Sequence, residues 1–345
     1  MQFFFIVDCA RPAFGFIEFH FICGYYICGF DMMKIPPIST AQEFSTQLKS
    51  EFWTQIGAAI CRRHKIFDRV LRRAEGSENV VFLIDERFVL KIFTPFRAGA
   101  PREIAALEFA KGKTRVNVPE VVCAGEFENL KYLITTQISG VPMTRADFLN
   151  LARKEQMEIV LQLADALKQL HSHDAPPTEF DWQKFIEHQV ETTFERQRAS
   201  GAAAEWLESL PAYFENYLKL LPLDFKPTFM HGDVHFGNLR FVKTNGRWKI
   251  SGVFDFADSL VGFREYEFVA VGVLMLQGDA ELQREFLRVY GYATAEINEN
   301  LRRRLMLMTI LYECSSLRRY AIRLKPEAVE FTLEELERAI WAFEG

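Results

Sequence analysis

The sequence predicts an α+β protein of two lobes, a small β-sheet lobe with one key helix and a larger, mainly helical lobe. Three observations indicate this architecture. Short runs rich in β-branched and aromatic residues are concentrated in residues 80–138. Apolar residues recur at helical spacing over long stretches after Gly140. A cluster of His, Asp and Asn interrupts the helical part at 229–241.

The first part of the chain passes from a helical pattern to a strand pattern. Residues 40–65 place apolar side chains at a mixed helical spacing. The runs VVFLID (80–85) and RFVLKIF (87–93) are short, rich in β-branched and aromatic residues, and joined through charged residues. They therefore predict a β-hairpin.

One helix and two more strands complete the sheet-rich part. The segment 101–113 predicts a helix, because Pro101 suits a first helical turn and Gly112 suits a helix end. Two later runs predict further strands, VPEVVCAGEF and LKYLITTQI. We therefore assign residues 32–137 to a small N-terminal lobe.

Residues 138–345 are predicted to form the larger helical lobe. Ile159 and Leu163 begin a series of apolar residues at helical spacing, and the pattern from 181 to 220 is also helical. The run WKISGVFDFAD predicts a hairpin strand that ends in acidic residues. Helical patterns dominate from Glu265 onward.

Composition limits the classes of function. Hydrophobic residues make up 49% of the 345 residues and charged residues 25%, which is typical of a globular protein. The formal net charge of -5 argues against nucleic acid as a main partner. The six cysteines lack the CxxC spacing of a zinc or redox motif, so we expect free thiols and a cytoplasmic protein. The sequence leaves the oligomeric state unknown.

The first residues have an unusual composition. Residues 1–31 are rich in Phe, Ile, Tyr and Cys, and ordinary polar composition begins near Met32. A secretory signal does not fit, because Asp8 precedes the first basic residue and no small-residue cleavage site is clear. A membrane helix does not fit either, since Glu18 and His20 interrupt the apolar run. We expect residues 1–31 to be an extension outside the fold and no membrane partner.

The segment FMHGDVHFGNLRF (229–241) carries the strongest chemical signal. In the catalytic loop of kinases, a base Asp lies two positions after a His and five positions before a metal-binding Asn. His231, Asp233 and Asn238 have this spacing. Asp255 in VFDFAD fits a second metal ligand at the end of a nearby strand. Magnesium prefers oxygen ligands, so an amide and a carboxylate beside nucleotide phosphates suit it.

Two residues of the small lobe fit phosphate binding. Lys91 is a charged residue inside the apolar run VLKIF, and the phosphates of ATP are its natural partner. Glu103, early in the following helix, would fix the position of the lysine, with Glu108 as second choice.

Weaker signals indicate contacts to the rest of the nucleotide. Gly76 permits close backbone approach to phosphates, and Ser77 with Asn79 offers donors, although one glycine is not a Gly-rich motif. An adenine would use backbone groups near Thr136 and Ile138, where the two lobes join.

Each of these residues also has an ordinary structural interpretation. A single Asp or Asn in a turn is usually a cap, and a lysine in a strand is usually a solvated edge residue. Glu103 fits the first turn of a helix, where the helix dipole favours a negative charge. His235 is expected to be a packing residue whose ring forms local hydrogen bonds. The joint spacing of the four motif residues favours a function over these interpretations.

Two other functions compete with phosphoryl transfer. The pair His231-x-Asp233 with a distant histidine would make the iron site of a non-haem iron oxygenase, but that fold is a β-barrel and the flanks here are helical. A non-catalytic pseudokinase would bind nucleotide but lack a key residue. All four key residues are present here: Lys91, Asp233, Asn238 and Asp255.

HGDVHFGN, followed by VFDFAD and preceded by VLKIF and a helix glutamate, resembles the aminoglycoside phosphotransferase and choline kinase family of small-molecule kinases. The resemblance covers roughly residues 65–320. It implies a protein-kinase-like fold, ATP and Mg²⁺ as cofactors, and the hydroxyl group of a small molecule as acceptor. Six residues take family roles, namely Asp233 as base, His231 as support of the loop, Asn238 and Asp255 as metal ligands, Lys91 as the phosphate-binding lysine, and Glu103 as its partner.

One stretch departs from the family pattern. The family commonly follows the metal Asp with a Gly-Asp-Pro-x-x-Asp-like stretch, and GFREYE (262–267) stands here, with an acidic end at Glu267. The substrate is therefore left open among aminoglycosides, other antibiotics, amino alcohols and sugars. No Ala-Pro-Glu signature follows, which favours a small-molecule kinase over a protein kinase. Acidic residues that could line the acceptor pocket are Asp258, Glu265, Glu267 and Glu313.

Overall fold

The computed structural model describes residues 38–343 except 49, 68, 75–76 and 97–98. The expectation for residues 1–31 lies outside the described residues. None of the described helices is both long enough and apolar enough to cross a membrane.

The chain divides into two compact units. The first combines the described part of Met1–Arg97 with Val121–Thr135, and the second combines Ala98–Glu120 with Thr136–Gly345. The segment of the predicted helix 101–113 thus groups with the second unit by compactness. The predicted lobe boundary after residue 137 stays a prediction.

The first unit is a sheet with two helices. Its strands lie in the order β1-β2-β3-β5-β4. The pairs β1–β2, β2–β3 and β4–β5 are antiparallel. The elements are α1 (Ala41–Gln47), α2 (Phe52–Arg63), β1 (Leu71–Arg73), β2 (Val80–Ile84), β3 (Phe88–Ile92), β4 (Val121–Phe127) and β5 (Leu130–Thr136).

Local sequence explains the predicted hairpin. The turn residues Asp85 and Glu86 have φ angles of 50° and 55°, which match the twist of the flanking strands. Strand β2 alternates between fully and partly buried positions, and Val81 lies opposite Lys91 of β3. Phe82 of β2 and Trp53 of α2 are fully buried in the same apolar core. The hairpin prediction is confirmed.

The second unit is mainly helical. Its strands form two antiparallel pairs, β6 with β9 and β7 with β8. The helices are α3 (Gly99–Ala110), α4 (Arg145–Leu149), α5 (Arg153–Ser172), α6 (Trp182–Ala199), α7 (Ala204–Tyr217), α8 (Phe268–Ala270), α9 (Ala280–Tyr290), α10 (Glu299–Leu311), α11 (Leu317–Leu324) and α12 (Leu333–Ile340), and the strands are β6 (Thr228–Met230), β7 (Leu239–Thr244), β8 (Arg247–Val253) and β9 (Leu260–Gly262).

The predicted helix 101–113 exists with shifted ends. It begins two residues earlier, so that Pro101 lies in its first turn, where the missing N–H costs no helical hydrogen bond. It ends before Gly112, whose φ of 72° places it in the turn that follows. The α+β class predicted from the sequence is confirmed.

Candidate functional site

The polar segment 229–241 lies between two strand pairs that fix its position. Before it, Met230 of β6 lies opposite Leu260 of β9. After it, Leu239 of β7 lies opposite Val253 of β8. Asp255 follows β8 and precedes β9, so both pairings bring Asp255 beside the segment. Because its spacing matches the catalytic loop of kinases, we call residues 231–238 the catalytic loop, as a name for the candidate segment.

Phe254 fastens the strand end that carries Asp255 to the catalytic loop. Its N–H donates to the Asn238 carbonyl at 3.1 Å. Its carbonyl, which belongs to the peptide group that precedes Asp255, accepts from His231 Nε2 at 2.9 Å. Asp255 itself has a φ of 66°, in the left-handed region that Asp tolerates better than most residues with a side chain.

Asp233 and Asn238 contact each other directly. The amide Nδ2 of Asn238 donates to the Asp233 carbonyl at 2.9 Å and to its Oδ2 at 3.1 Å. Both partners are acceptors, so the NH₂ side of the amide must face them. The amide oxygen Oδ1 is therefore directed away from Asp233, which is the orientation that a magnesium ligand requires.

His231 is a buried supporting residue with a defined tautomer. It is 1% exposed. Its Nε2 faces the Phe254 carbonyl, an acceptor, and its Nδ1 accepts the Asp233 N–H at 3.2 Å. The proton must therefore lie on Nε2. The ring thus fixes the backbone of Asp233 and has both nitrogens engaged, which suits the supporting role expected from the sequence.

Glu267 holds the start of the catalytic loop. Its Oε2 accepts the His231 N–H at 2.6 Å, and its Oε1 accepts the Gly232 N–H at 3.0 Å. His171 Nε2 lies 3.4 Å from the same Oε2. Burial alone would raise the pKa of Glu267, but the hydrogen bond from His171, the attraction of the histidines and the backbone N–H outweigh it and lower the pKa.

Tyr312, which the sequence did not indicate, fixes the peptide group before Asp233. Its hydroxyl donates to the Gly232 carbonyl at 2.6 Å, while the N–H of the same peptide group donates to His231. Gly232 has a φ of 86°, and a Cβ there would lie 2.2 Å from the Asp258 carbonyl, so only glycine fits. Burial raises the pKa of Tyr312 well above its ordinary value.

His235 lies beside the candidate base and is more than a packing residue. Its Nε2 is 3.3 Å from Asp233 Oδ2, and its Nδ1 accepts the Gly237 N–H at 2.9 Å. A Cβ on Gly237 would come within 2.5 Å of the ring, so the glycine permits this placement. The local hydrogen bond expected of the His235 ring is present at Gly237, whereas the contact with Asp233 was not expected from the sequence. The signal available was its position two residues after Asp233.

The acidic candidates for the acceptor pocket differ in exposure. Glu265 and Glu267 are each 1% exposed and bound by internal partners. Asp258 and Glu313 are exposed. The Glu313 N–H donates to the Tyr266 hydroxyl at 3.0 Å, which places Glu313 directly after Tyr312 on a fixed backbone.

The two residues expected to bind phosphate are buried in different units. Lys91 on β3 is 7% exposed, and its Nζ lies 5.3 Å from the centre of the Phe93 ring. Glu103 on α3 is 5% exposed. Charged side chains this deeply buried need partners. Their pairing with each other stays a prediction.

The other expected nucleotide contacts shape local turns. Ser77 Oγ accepts the Asn79 N–H at 3.1 Å in the connection between β1 and β2, and Gly76 lies outside the described residues. The Thr136 N–H donates to the Glu120 carbonyl at 2.9 Å. An adenine contact at Thr136 would therefore use its carbonyl. The Ile138 side chain is 9% exposed and packs within the second unit.

Within the part of the chain that the structure describes, no group of three or more His, Cys, Asp or Glu side chains is arranged to hold a metal ion. The iron site of a non-haem oxygenase needs three such ligands. The expected magnesium site needs only Asn238 and Asp255, because phosphates and water supply its other oxygens.

A sequence profile of the phosphotransferase enzyme family matches residues 69–305. The chain belongs to this family. The family resemblance noted in the catalytic loop is thus confirmed, and the iron oxygenase, which would be a β-barrel, is not supported by the fold. None of the curated proteins matches the sequence.

Solved structures of other phosphotransferases share the fold. The GDP complex of wild-type aminoglycoside 2'-phosphotransferase-IIIa has a TM-score of 0.61 and 17% identity, over 84% of this chain and 99% of that chain. The streptomycin–ATP ternary complex of APH(2")-IIa has a TM-score of 0.55 and 21% identity, over 84% and 98% of the two chains. A putative aminoglycoside phosphotransferase from Ralstonia eutropha has a TM-score of 0.56 and 15% identity, over 84% and 97%. This phosphotransferase therefore has the predicted protein-kinase-like fold.

Proposed function

We propose that the protein is an ATP- and Mg²⁺-dependent kinase that phosphorylates a hydroxyl group of a small molecule. The observation that carries the proposal is the direct contact between Asp233 and Asn238 on a loop fastened to the strand end before Asp255. This grouping supports the proposal, because phosphoryl transfer requires a base close to the oxygen ligands of a metal ion.

Asp233 is the proposed base. Its carboxylate would accept a hydrogen bond from the acceptor hydroxyl, orient one oxygen lone pair toward the γ-phosphate and take up the proton. The bonds from Asn238 and the neighbouring His235 limit the positions that this carboxylate can adopt. Orientation of this kind supplies much of the rate enhancement in phosphoryl transfer.

Asn238 Oδ1 and the Asp255 carboxylate fit a magnesium ion, since both offer hard oxygen ligands at the edge of the loop. When bound, Mg²⁺ would neutralise charge on the β- and γ-phosphate oxygens. Lys91, with Glu103 as its proposed partner, would contact the phosphates from the small lobe.

The acceptor is proposed to be a small molecule with a hydroxyl group, of the aminoglycoside, amino alcohol or sugar type. Two solved relatives in fold are complexes with kanamycin and with streptomycin. The exposed carboxylates of Asp258 and Glu313 suit an acceptor with positive charge.

A phosphotransfer screen tests the proposal. Radiolabelled ATP and Mg²⁺ would be incubated with a panel of aminoglycosides, amino alcohols and sugars, and Asp233→Ala compared with the native protein. We expect kcat to fall by about 10²–10⁴-fold, because the general base is lost, while Mg–ATP still binds. Asp255→Ala is expected to weaken Mg–ATP binding instead, measured by calorimetry.

The exposed Asp174 offers a matched control, because Asp174→Ala removes a carboxylate whose side chain is 94% exposed. Unchanged turnover in Asp233→Ala would contradict the assignment of the base. Mg–ATP binding without transfer to any acceptor would favour the non-catalytic nucleotide-binding alternative.

A further inference from the structure

A cavity of about 660 Å³ lies in the second unit, apart from the candidate catalytic residues. Neither Asp233, Asn238 nor Asp255 is among the residues that line it. Its walls come from the end of α5, the segment before β6, the stretch 263–265 and the region after α9. A cavity of this size is suited to a small organic molecule.

The most buried acid of the wall is already neutralised. Glu265 is 1% exposed and accepts from Arg304 Nη2 at 2.8 Å, Arg304 Nε at 3.0 Å and the Tyr292 hydroxyl at 2.8 Å. A carboxylate with so many charge-assisted bonds has little residual attraction for a cationic ligand. Glu265 and Arg304 together form a polar ion pair without net charge in the cavity wall.

Two cations of the wall form no salt bridge within the described residues, and the one side-chain hydrogen bond of Arg264 is to the neutral hydroxyl of Tyr292. The guanidinium of Arg264 lies 4.9 Å from the centre of the Tyr292 ring, and Lys168 Nζ donates to the Val289 carbonyl at 3.4 Å. Among the described residues, neither Arg264 nor Lys168 forms a salt bridge. Both lie close to Tyr290 or its neighbour. The Arg264 guanidinium is 5.7 Å from the centre of the Tyr290 ring, and Lys168 Nζ would lie 3.7 Å from a Cβ on Gly291.

The remaining charges leave a small positive excess. Lys226 also lines the cavity and pairs with Asp174, which is not part of the wall. The acids Asp224 and Glu296 line it as well, and Glu296 already accepts the Ala293 N–H at 2.7 Å. The partner of Lys226 is 94% exposed, so this pair is screened by water. The cavity lining therefore holds four cations (Lys168, Lys226, Arg264 and Arg304) and three acids (Asp224, Glu265 and Glu296), an excess of one positive charge that favours an anionic ligand.

The cavity wall is joined to the catalytic loop by hydrogen bonds. Tyr290 and His171 both line the cavity, and the Tyr290 hydroxyl lies 2.8 Å from His171 Nδ1. The other ring nitrogen of His171 contacts Glu267, which holds the N–H groups of His231 and Gly232. A ligand that moves Tyr290 or His171 therefore acts on the loop through one carboxylate.

We propose that this cavity binds a small organic anion, a carboxylate or phosphate ester with an aromatic or apolar body, and that Glu267 transmits its binding to the catalytic loop. Arg264 and Lys168 would contact the anionic group. Phe225, Phe263 and Leu220 of the wall would contact the apolar body. The binding step stands independently of the proposed phosphotransfer.

Calorimetry with three probes of similar shape tests the binding step: phenyl phosphate, benzoate and benzylamine. We expect one or both anions to bind and benzylamine not to bind. Arg264→Gln and Lys168→Gln should each weaken anion binding by about tenfold, because each removes a charge-assisted bond. The exposed cations Arg247 and Lys249 lie outside the cavity wall, so Arg247→Gln and Lys249→Gln are matched controls.

The calorimetric results can either support or overturn anion binding in the cavity. Binding by one anion and not the other identifies the anionic group. Equal binding of benzylamine, or anion binding that is unchanged in Arg264→Gln, overturns it, and the second result would assign phenyl phosphate to another site. Unchanged melting temperatures of the variants would show that lost binding does not reflect lost folding.

Ring signals of His171 and His231 in NMR spectra test the transmission without any turnover assay. In the native protein, the bound anion should shift both signals. In Glu267→Gln, the His171 signal should still shift while the His231 signal should not. A bound anion that leaves His231 unchanged in the native protein overturns the transmission. Failure of phosphotransfer in the acceptor screen would leave these results unaffected.

Discussion

Two glutamates of the helical unit are equally buried but are held by different partners. Glu337 on α12 is 0% exposed. Its carboxylate accepts from Arg302 Nε at 2.8 Å, from Arg303 Nη1 at 2.7 Å and from the Tyr213 hydroxyl. The two arginines belong to α10, so this carboxylate joins α10 to α12.

Glu267 has no arginine among these partners and relies on the backbone instead. It accepts the N–H groups of His231 and Gly232, and His171 provides its one titratable contact. An arginine keeps its charge at any accessible pH and in any local conformation. A backbone N–H is in place only while its loop keeps its shape. We infer that Glu337 stabilises the fold, whereas the hydrogen bonds of the Glu267 carboxylate hold the backbone of the catalytic loop.

The largest expected effect breaks the arginine cluster. Glu337→Gln removes the buried negative charge that Arg302 and Arg303 both contact, so the free energy of unfolding should fall by about 3–5 kcal/mol. Urea unfolding measures this, and kcat of the folded protein should stay near the native value. Glu299→Gln is the matched control, because Glu299 contacts the same arginines but is 63% exposed and should contribute less than about 1 kcal/mol.

A large fall in the kcat of folded Glu337→Gln, beside its loss of stability, would contradict the distinction between the two glutamates.

The second effect concerns the catalytic loop. Glu267→Gln places an amide NH₂ against one of the two backbone N–H groups, so one donor faces another and the loop must shift. We expect kcat to fall about 10²-fold, since small displacements of a catalytic group have such effects. Stability should fall by about 1–3 kcal/mol, the cost of one unsatisfied buried donor. Turnover and urea unfolding measure the two effects.

The opposite outcome would be a large loss of stability with little loss of turnover. If Glu267→Gln lost mainly stability and kept its turnover, Glu267 would be a structural residue like Glu337.

A smaller effect is expected from two matched tyrosines. Tyr312→Phe removes the hydroxyl bonded to the Gly232 carbonyl, and Tyr213→Phe removes the hydroxyl bonded to Glu337. We expect Tyr312→Phe to lower kcat about tenfold with little change in KM, because one buried hydrogen bond is worth roughly 1.4 kcal/mol. Tyr213→Phe should lower stability by a similar amount and leave kcat unchanged. Equal kinetic effects in the two variants would remove the positioning role of Tyr312.

The candidate site residues that the sequence predicts are those whose pattern is local. His231, Asp233 and Asn238 lie within eight residues, and Asp255 follows at the end of the next hairpin. Their spacing is dictated by one loop, so it is visible in the sequence. Tyr312 lies 80 residues from its partner Gly232, and His171 lies 96 residues from Glu267. No local pattern encodes such pairs, because packing of distant helices creates them.

The elements of the fold that the sequence predicts are likewise those with a clear local pattern. Helix α5 and the hairpin β2–β3 have clear apolar periods and were predicted. The strands β1, β6 and β9 have three residues each, too few for an alternating pattern. Yet the pair β6–β9 positions the catalytic loop. Sequence periodicity thus identified the long elements and missed the short ones that align the site.

The smallest expected effect is a pH dependence of the unfolding free energy, which should differ between Glu267→Gln and Tyr312→Phe. The partners of Glu267 lower its pKa in the folded protein below the value of 4.5 for an ordinary glutamate. A lowered pKa adds stability that is complete well above pH 4.5 and is lost as the pH falls toward the folded pKa. The difference in unfolding free energy between the native protein and Glu267→Gln should therefore shrink below about pH 4.5.

Urea unfolding at a series of pH values from 6 downward measures this difference, in steps of about half a pH unit across the range where carboxylates titrate. Tyr312→Phe is the control, because burial keeps the pKa of the Tyr312 phenol well above its ordinary value, far outside this range. Its difference from the native protein should stay constant. A difference that is equally constant for Glu267→Gln would mean that Glu267 binds the loop without its charge, and the contrast with Glu337 would then rest on geometry alone.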